Sequence, residues 1–272
     1  MSSSDSDADL ARKITAALIA GGSENPVKEL GYIFGQFSQC ETDMPQVLEQ
    51  LAVGVSPYHI FGNYQLPSTH TSIEVPRAVM PPGSMTEDVI GIIRGICTSI
   101  RPRTMLDLGC GTGVLGIAAL MACARMRGML LDLDWEAAAC TRRNLARLGL
   151  LDRAAAICSD GAGVVKNATV DLQIANLPFV PDAQVQSLPP RFGVHAPLLA
   201  VRGGADGLDV LRRLAGGMKE VAAPGCHLVL QVGNADQKAS AARMLETWWK
   251  PTVHEFGPHP NVLVEVRRRR NR

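Results

Sequence analysis

The sequence lacks the marks of a metal site, a membrane span or a secreted disulfide scaffold. Its seven cysteines, Cys40, Cys97, Cys110, Cys123, Cys140, Cys158 and Cys226, are odd in number and form no C-x-x-C pair, which points to a reducing compartment. The six histidines, His59, His70, His195, His227, His254 and His259, are scattered without ligand spacing, so no metal is expected. No uninterrupted apolar run reaches membrane-spanning length, and the opening MSSSDSDADLARK is acidic and Ser-rich rather than a basic lead-in to a signal peptide. A cytoplasmic protein without membrane attachment is expected. A formal net charge of +1 argues against a chain whose work is coating nucleic acid, and the basic stretch Arg267–Arg272 reads as a solvated terminus, with RNA contact as the rarer alternative.

What is present is enough for a substantial core. With 272 residues, 46% of them hydrophobic, the chain suits one large α/β domain with a smaller appendage. Residues 1–10 read as disordered. The stretches LARKITAALIAGG, PVKELGYIFGQF and PQVLEQLAVGV then carry helical spacing of apolar residues, and residues 56–83 break into short β-prone pieces between prolines and glycines, a hairpin or connector signature. Residues 11–83 are thus expected to form a helical N-terminal domain with a hairpin linker, and 84–272 a second domain opening on a helix whose Ser84 and Glu87 suit a capping box. From Thr104 strands and helices alternate, from TMLDLG and GVLGIAALMACARM to HLVLQVG and NVLVEVR, which predicts a mostly parallel sheet covered by helices on both faces. Ligands in such sheets sit outside the carboxyl ends of the strands.

The segment LDLGCGTGVLG places Gly109, Gly111 and Gly113 between an apolar strand and a helix, where glycine permits a tight turn and close approach to a ligand. Asp107 ends the strand before this turn, Asp132 ends the next strand in LLD, and Asp160 follows a third in ICSDG. Each alone fits a solvated turn residue or a helix cap. At successive strand ends they fit a nucleoside, with Asp107 toward an ammonium group or a water, Asp132 toward ribose hydroxyls and Asp160 toward an adenine amino group. A dinucleotide fingerprint would need glycine where Val114 stands.

These residues resemble the class I S-adenosylmethionine-dependent methyltransferases, whose first motif is D-x-G-x-G-x-G. The resemblance implies a Rossmann-like fold, S-adenosylmethionine as cofactor, and cofactor contacts from Asp107, Gly109, Cys110, Gly111, Gly113, Asp132, Leu133, Asp160, Gly161 and Asn176. In IANLPFVP an apolar run ends on Asn176, followed by Leu177, Pro178 and Phe179. A delocalised nitrogen is a poor nucleophile, and a site helps it by accepting hydrogen bonds from its N–H groups. The Asn176 side chain and the Leu177 carbonyl suit that work, Pro178 stiffens the turn, and Phe179 offers a face to a planar group. The stretch is similar to the N-P-P-[YFW] motif of methyltransferases acting on planar nitrogens, so all four are read as catalytic.

Over most of its length the chain resembles the release-factor glutamine methyltransferases and their relatives. SPYHIFG, VMPPGSMTE and DLDWEAAACTRRNLARLGL are similar to their linker and second βα unit, and GGADGLDVLRRL to their G-G-x-D-G-L-x-x-x-R-x-L. Gly83, Met85, Leu177, Phe179 and Gln231 stand where that family has arginine, glutamate, proline, tyrosine and an acid. The departures suggest a changed acceptor, in a specialised metabolic enzyme rather than a modifier of translation factors: a protein or peptide amide, a guanidinium or a small metabolite, with an RNA base or a transfer other than methyl as alternatives. Tyr58, Phe61 and Tyr64 are read as core unless the linker brings them to the substrate. Arg191 and His195, on a long Pro-rich loop able to close over substrate, are read as solvent-facing or as binding an acidic group. Trp248 and Trp249 are read as packing residues.

Overall fold

The computed structural model describes residues 3–37, 43–67, 69, 71–246, 249–254 and 262–268, with the backbone alone for 3–6, 249–254 and 262–268. Helices α1 (Ser3–Ala20), α2 (Pro26–Phe37) and α3 (Met44–Ala52) meet through Ile14, Leu18, Ile33, Val47 and Leu51. The four-residue spacing of Ile14 with Leu18 and of Val47 with Leu51 puts each pair on one helix face. Disorder over residues 1–10 is not what the structure has from Ser3 onward, where α1 is helical. Asp9 pairs with Lys13 at 2.7 Å and Arg12 at 3.3 Å, spacings that support an exposed helix.

A short helix, α4 (Pro57–Ile60), leads into an antiparallel hairpin of β1 (Asn63–Leu66) and β2 (Thr71–Glu74), paired Tyr64 to Ile73. Tyr58 and Tyr64 are buried in the core and Phe61 packs on the helical cluster, so these aromatics are structural. Next comes α5 (Thr86–Ile100), without the expected capping box. Glu87 pairs with Lys28 of α2 at 2.7 Å, and the Ser84 N–H reaches Glu24 at 3.4 Å.

The alternating part follows the sequence pattern: β3 (Thr104–Leu108), α6 (Val114–Ala122), β4 (Arg127–Asp132), α7 (Trp135–Arg147), β5 (Ala154–Cys158) and β6 (Val170–Ala175). The α6 helix stops at Ala122, short of the 113–126 expected, and the chain turns through Cys123 to enter β4. After β6 the Pro-rich loop holds three short helices, α8 (Asp182–Val185), α9 (Pro190–Gly193) and α10 (Leu198–Val201). Then come α11 (Asp209–Val221), β7 (Ala222–Val232), α12 (Ala235–Leu245), β8 (Trp249–His254) and β9 (Val262–Arg268). Trp248 and Arg269–Arg272 lie outside the described residues, as does the side chain of Trp249.

The sheet order is β5-β4-β3-β6-β7-β9-β8, parallel from β5 to β7, with β9 antiparallel to both β7 and β8. Alternate strand residues feed two cores. Met105, Leu130, Leu172, Ile174 and Val229 face one with α5 and α6, while Leu106, Leu108, Leu131, Leu228 and Leu230 face the other with α11. Strand order reverses between β3 and β6, so the crevice at their carboxyl ends is where a ligand is expected.

Candidate active site

The turn after β3 is built on glycine for steric reasons. Gly109 has φ +71°, and a β-carbon there would stand 3.3 Å from Leu177 Cδ2 and 3.6 Å from the Asn176 carbonyl oxygen, so the two turns touch. Gly111, φ +56°, faces open space. The N–H groups of Gly109 and Cys110 both donate to the Leu131 carbonyl, at 2.9 and 3.0 Å, which ties the turn to β4. Gly113 stands apart from the other predicted cofactor residues: it starts α6, its β-carbon position faces Thr141 at 3.0 Å, and it does not line the cavity.

Asp107 is 1% exposed and accepts the Gly116 N–H from α6 at 3.0 Å. Burial pushes its pKa up to about 7, the Gly116 N–H opposing the shift and the Asp132 carboxylate adding a smaller push. Asp132 accepts the N–H of Gly111 and of Asp134, both at 2.9 Å, and burial raises its pKa against those bonds. Each carboxylate oxygen keeps a further acceptor site. Burial also drives the Cys110 thiol upward, so it is no nucleophile. Asp160 is paired with Arg213 of α11 at 2.6 Å, and both line the cavity.

Asn176 follows β6 and is exposed on the cavity wall. Among the described residues its amide has no hydrogen-bond partner, and no N–H donates to the Leu177 carbonyl. The Leu177 side chain is buried against the glycine turn. Pro178 and Phe179 are half-buried, and the GGADG loop wraps their backbone. The Gly203 N–H donates to the Val180 carbonyl at 2.8 Å, and a β-carbon on Gly203 would stand 2.8 Å from the Pro178 carbonyl oxygen. That approach explains why G-G-x-D-G stands out in the sequence.

The cavity between these turns measures about 350 Å³, within the range of small-molecule sites. It is closed on one side by Met80–Thr86, where the linker runs into α5, and on another by Leu188, Phe192 and Leu199 of the Pro-rich loop. Arg191 and His195 do not line it, and the acidic group that Arg191 binds belongs to this chain. Arg191 is 6% exposed and ion-paired with Glu29 of α2, and His195 Nε2 lies 2.9 Å from the Val53 carbonyl oxygen, so both fasten the loop to the helical unit.

Several residues of the site carry no sequence signal of their own. Asn144 of α7, 1% exposed, accepts the Glu74 N–H at 2.8 Å and donates to the Glu74 carbonyl at 3.1 Å and the Thr112 carbonyl at 2.9 Å, so it docks the hairpin on the glycine turn. Arg213, which lines the cavity, and Gln237, which stands behind it, likewise come from distant helices, and no motif singles out either side chain.

The glycine cradle, the open space beside Gly111 and the carboxylates at successive strand ends fit a nucleoside carrying an amino-acid tail. Known proteins agree. Residues 95–200 match the methyltransferase small domain family. The release factor glutamine methyltransferase of Caulobacter vibrioides is 30% identical over 197 residues, covering 72% of this chain and 68% of its own. The ribosomal protein uL3 glutamine methyltransferase of Bordetella pertussis is 31% identical over 183 residues, covering 66% and 61%. Among solved structures, the hMettl16 catalytic domain in complex with a MAT2A 3'UTR hairpin has a TM-score of 0.60 at 13% identity, covering 76% of this chain and 78% of that one, a likeness of fold alone. The chain belongs to the release factor glutamine methyltransferase family, within the class I S-adenosylmethionine-dependent N-methyltransferases.

Proposed function

We propose that this protein methylates the side-chain amide nitrogen of a glutamine in a protein of the translation apparatus. Asp107, Gly109, Cys110, Gly111, Asp132, Leu133, Asp160 and Gly161 hold the cofactor, and Asn176, Leu177, Pro178 and Phe179 receive the acceptor. Gly113 serves the turn by starting α6. Residues 84–272 form the cofactor domain, and residues 11–83 form a helical unit and linker that wall the acceptor side. The relatives named for release factors and for uL3 support a protein acceptor, and the free thiols among the described cysteines suit a cytosolic setting.

The observation that carries the reading is the contrast between free and engaged groups. Among the described residues the Asn176 amide and the Leu177 carbonyl are unpartnered, whereas Asp107, Asp132, Asp134 and Asp160 each already hold an N–H or a guanidinium. The remaining carboxylate, Glu24, is exposed at the rim. A neutral amide matches these neutral groups, whereas the buried carboxylates Asp107 and Asp132 stand at the ends of β3 and β4, on the side assigned to the cofactor.

Bound in this cavity, S-adenosylmethionine supplies a methyl group activated by a sulfonium. Asn176 Oδ1 and the Leu177 carbonyl accept the two N–H groups of the acceptor amide and fix the direction of its nitrogen. The same bonds strengthen as positive charge grows on that nitrogen. Phe179 packs on the planar amide and keeps water from it. No strong base is required, because the nitrogen's proton becomes acidic once the fourth bond forms and passes to solvent.

The test incubates the protein with methyl-labelled S-adenosylmethionine and, separately, a bacterial release factor, protein uL3 and total RNA. Label in a protein, recovered as N5-methylglutamine with equimolar S-adenosylhomocysteine, is the expected result. Label in RNA alone, or methylthioadenosine without a methylated product, overturns it.

A further inference from the structure

We infer that Gln237, 58 residues from Phe179 in the chain, is a positioning residue that holds the acceptor turn in shape. The inference rests on the acceptor role proposed for residues 176–179. Gln237 does not line the cavity and is 5% exposed, near the start of α12. Its amide is fully used. Nε2 donates to the Phe179 carbonyl at 2.7 Å and to the Asp206 carbonyl at 2.9 Å, and Oε1 accepts the Gly233 N–H at 2.8 Å. One side chain thereby joins three turns, those after β6, before α11 and after β7. Its own backbone N–H donates to Asn234 Oδ1 at 2.9 Å, so the brace starts from a capped helix end.

The Phe179 ring is held by the same group. A β-carbon on Gly233 would stand 2.8 Å from Phe179 Cδ2 and 2.7 Å from Gln237 Oε1, so ring, turn and amide are packed without slack. The next peptide is anchored too, with the Val180 N–H donating to the Val201 carbonyl at 3.1 Å. The motif thus divides into a braced half, Phe179 and Val180, and an open half, Asn176 and Leu177. An amide lying on the ring is thereby held at a set angle to the Asn176 carbonyl, which governs turnover rather than cofactor binding.

Two variants and a control test this in the full chain, with all six phenylalanines replaced by 4-fluorophenylalanine and the Phe179 resonance assigned from Phe179→Leu. Gln237→Glu keeps the acceptor for Gly233 but turns a carboxylate on two carbonyls, and Gln237→Met removes every bond without adding charge. Both should shift and broaden the Phe179 resonance. Both should also lower kcat on the release factor by about tenfold or more, as for a misaligned acceptor, with S-adenosylhomocysteine affinity within about twofold of the parent. Asn234→Ala, which removes the cap but leaves the brace, should lower Tm without moving that resonance. An unmoved Phe179 resonance in a folded Gln237 variant overturns the inference, as does an equal displacement by Asn234→Ala. Should Gln237→Glu fail to fold, Gln237→Met decides. A moved resonance in a chain that leaves the release factor unmethylated supports the brace and counts against the acceptor reading alone.

Discussion

The side-chain amide of Asn144 brackets the backbone of Glu74, accepting its N–H at 2.8 Å and donating to its carbonyl at 3.1 Å. A further bond from the same amide to the Thr112 carbonyl makes the end of the hairpin and the glycine turn one unit. Asn144→Ala would leave buried backbone groups unpaired, at about 1–3 kcal/mol for each group that water cannot reach. Urea unfolding should show a loss of about 2–4 kcal/mol, with weaker cofactor binding as the turn loosens.

Asp132 and Asn176 should separate binding from turnover. With Asp132 in the proposed role of acceptor for the ribose hydroxyls, Asp132→Ala should weaken S-adenosylhomocysteine binding by about 1–3 kcal/mol in calorimetry. Asn176→Ala should leave that affinity nearly unchanged and lower kcat by about 10²-fold, the scale for loss of one group that stabilises developing charge. The reverse pattern would exchange the two assignments.

Asp107 gives stability a pH slope of defined sign. Its folded pKa of about 7 lies above the ordinary 3.8, so between those values the native protein keeps a proton that the unfolded chain has lost. Stability of the cofactor-free protein should therefore fall as pH rises from about 4 to about 7, by a total on the order of a few kcal/mol. Asp132, also raised, adds a slope of the same sign. Asp107→Asn should flatten part of it, and the difference in Tm between parent and variant should grow across that window.

The Arg191–Glu29 pair joins the Pro-rich loop to α2 out of contact with solvent, and Ser23 Oγ donates to the same Glu29 carboxylate at 2.8 Å. Arg191→Met should cost about 3–5 kcal/mol, because it leaves a buried carboxylate without its counter-charge. The double variant with Glu29→Gln should recover much of that loss, and a failure to recover would mean that loop packing dominates.

The site was legible where its chemistry is local in the chain. The turn from Asp107 to Gly111 and the step from β6 into Asn176 each follow from a few adjacent residues whose backbone needs are visible in the letters. Of the two readings of Arg191 the acidic-group one fits, but a guanidinium on a Pro-rich loop carries no sign that the acid is a buried carboxylate 162 residues away in the same chain. The capping box is absent because α5 starts at Thr86 with Met85 at its N-cap, one residue beyond Ser84, and Glu87 pairs instead with Lys28.

By itself the sequence determined the alternation of strands and helices, the glycine turn, the acids at strand ends and the family, since each rests on short-range periodicity or contiguous motif. Only the tertiary structure decided which polar groups remain free. Asp160 is taken by Arg213 and Gln237 by three backbone groups, while the Asn176 amide has no partner among the described residues. The reason is physical: a buried polar group must find a partner, and which partner it finds depends on chain segments that meet only when the sheet is assembled.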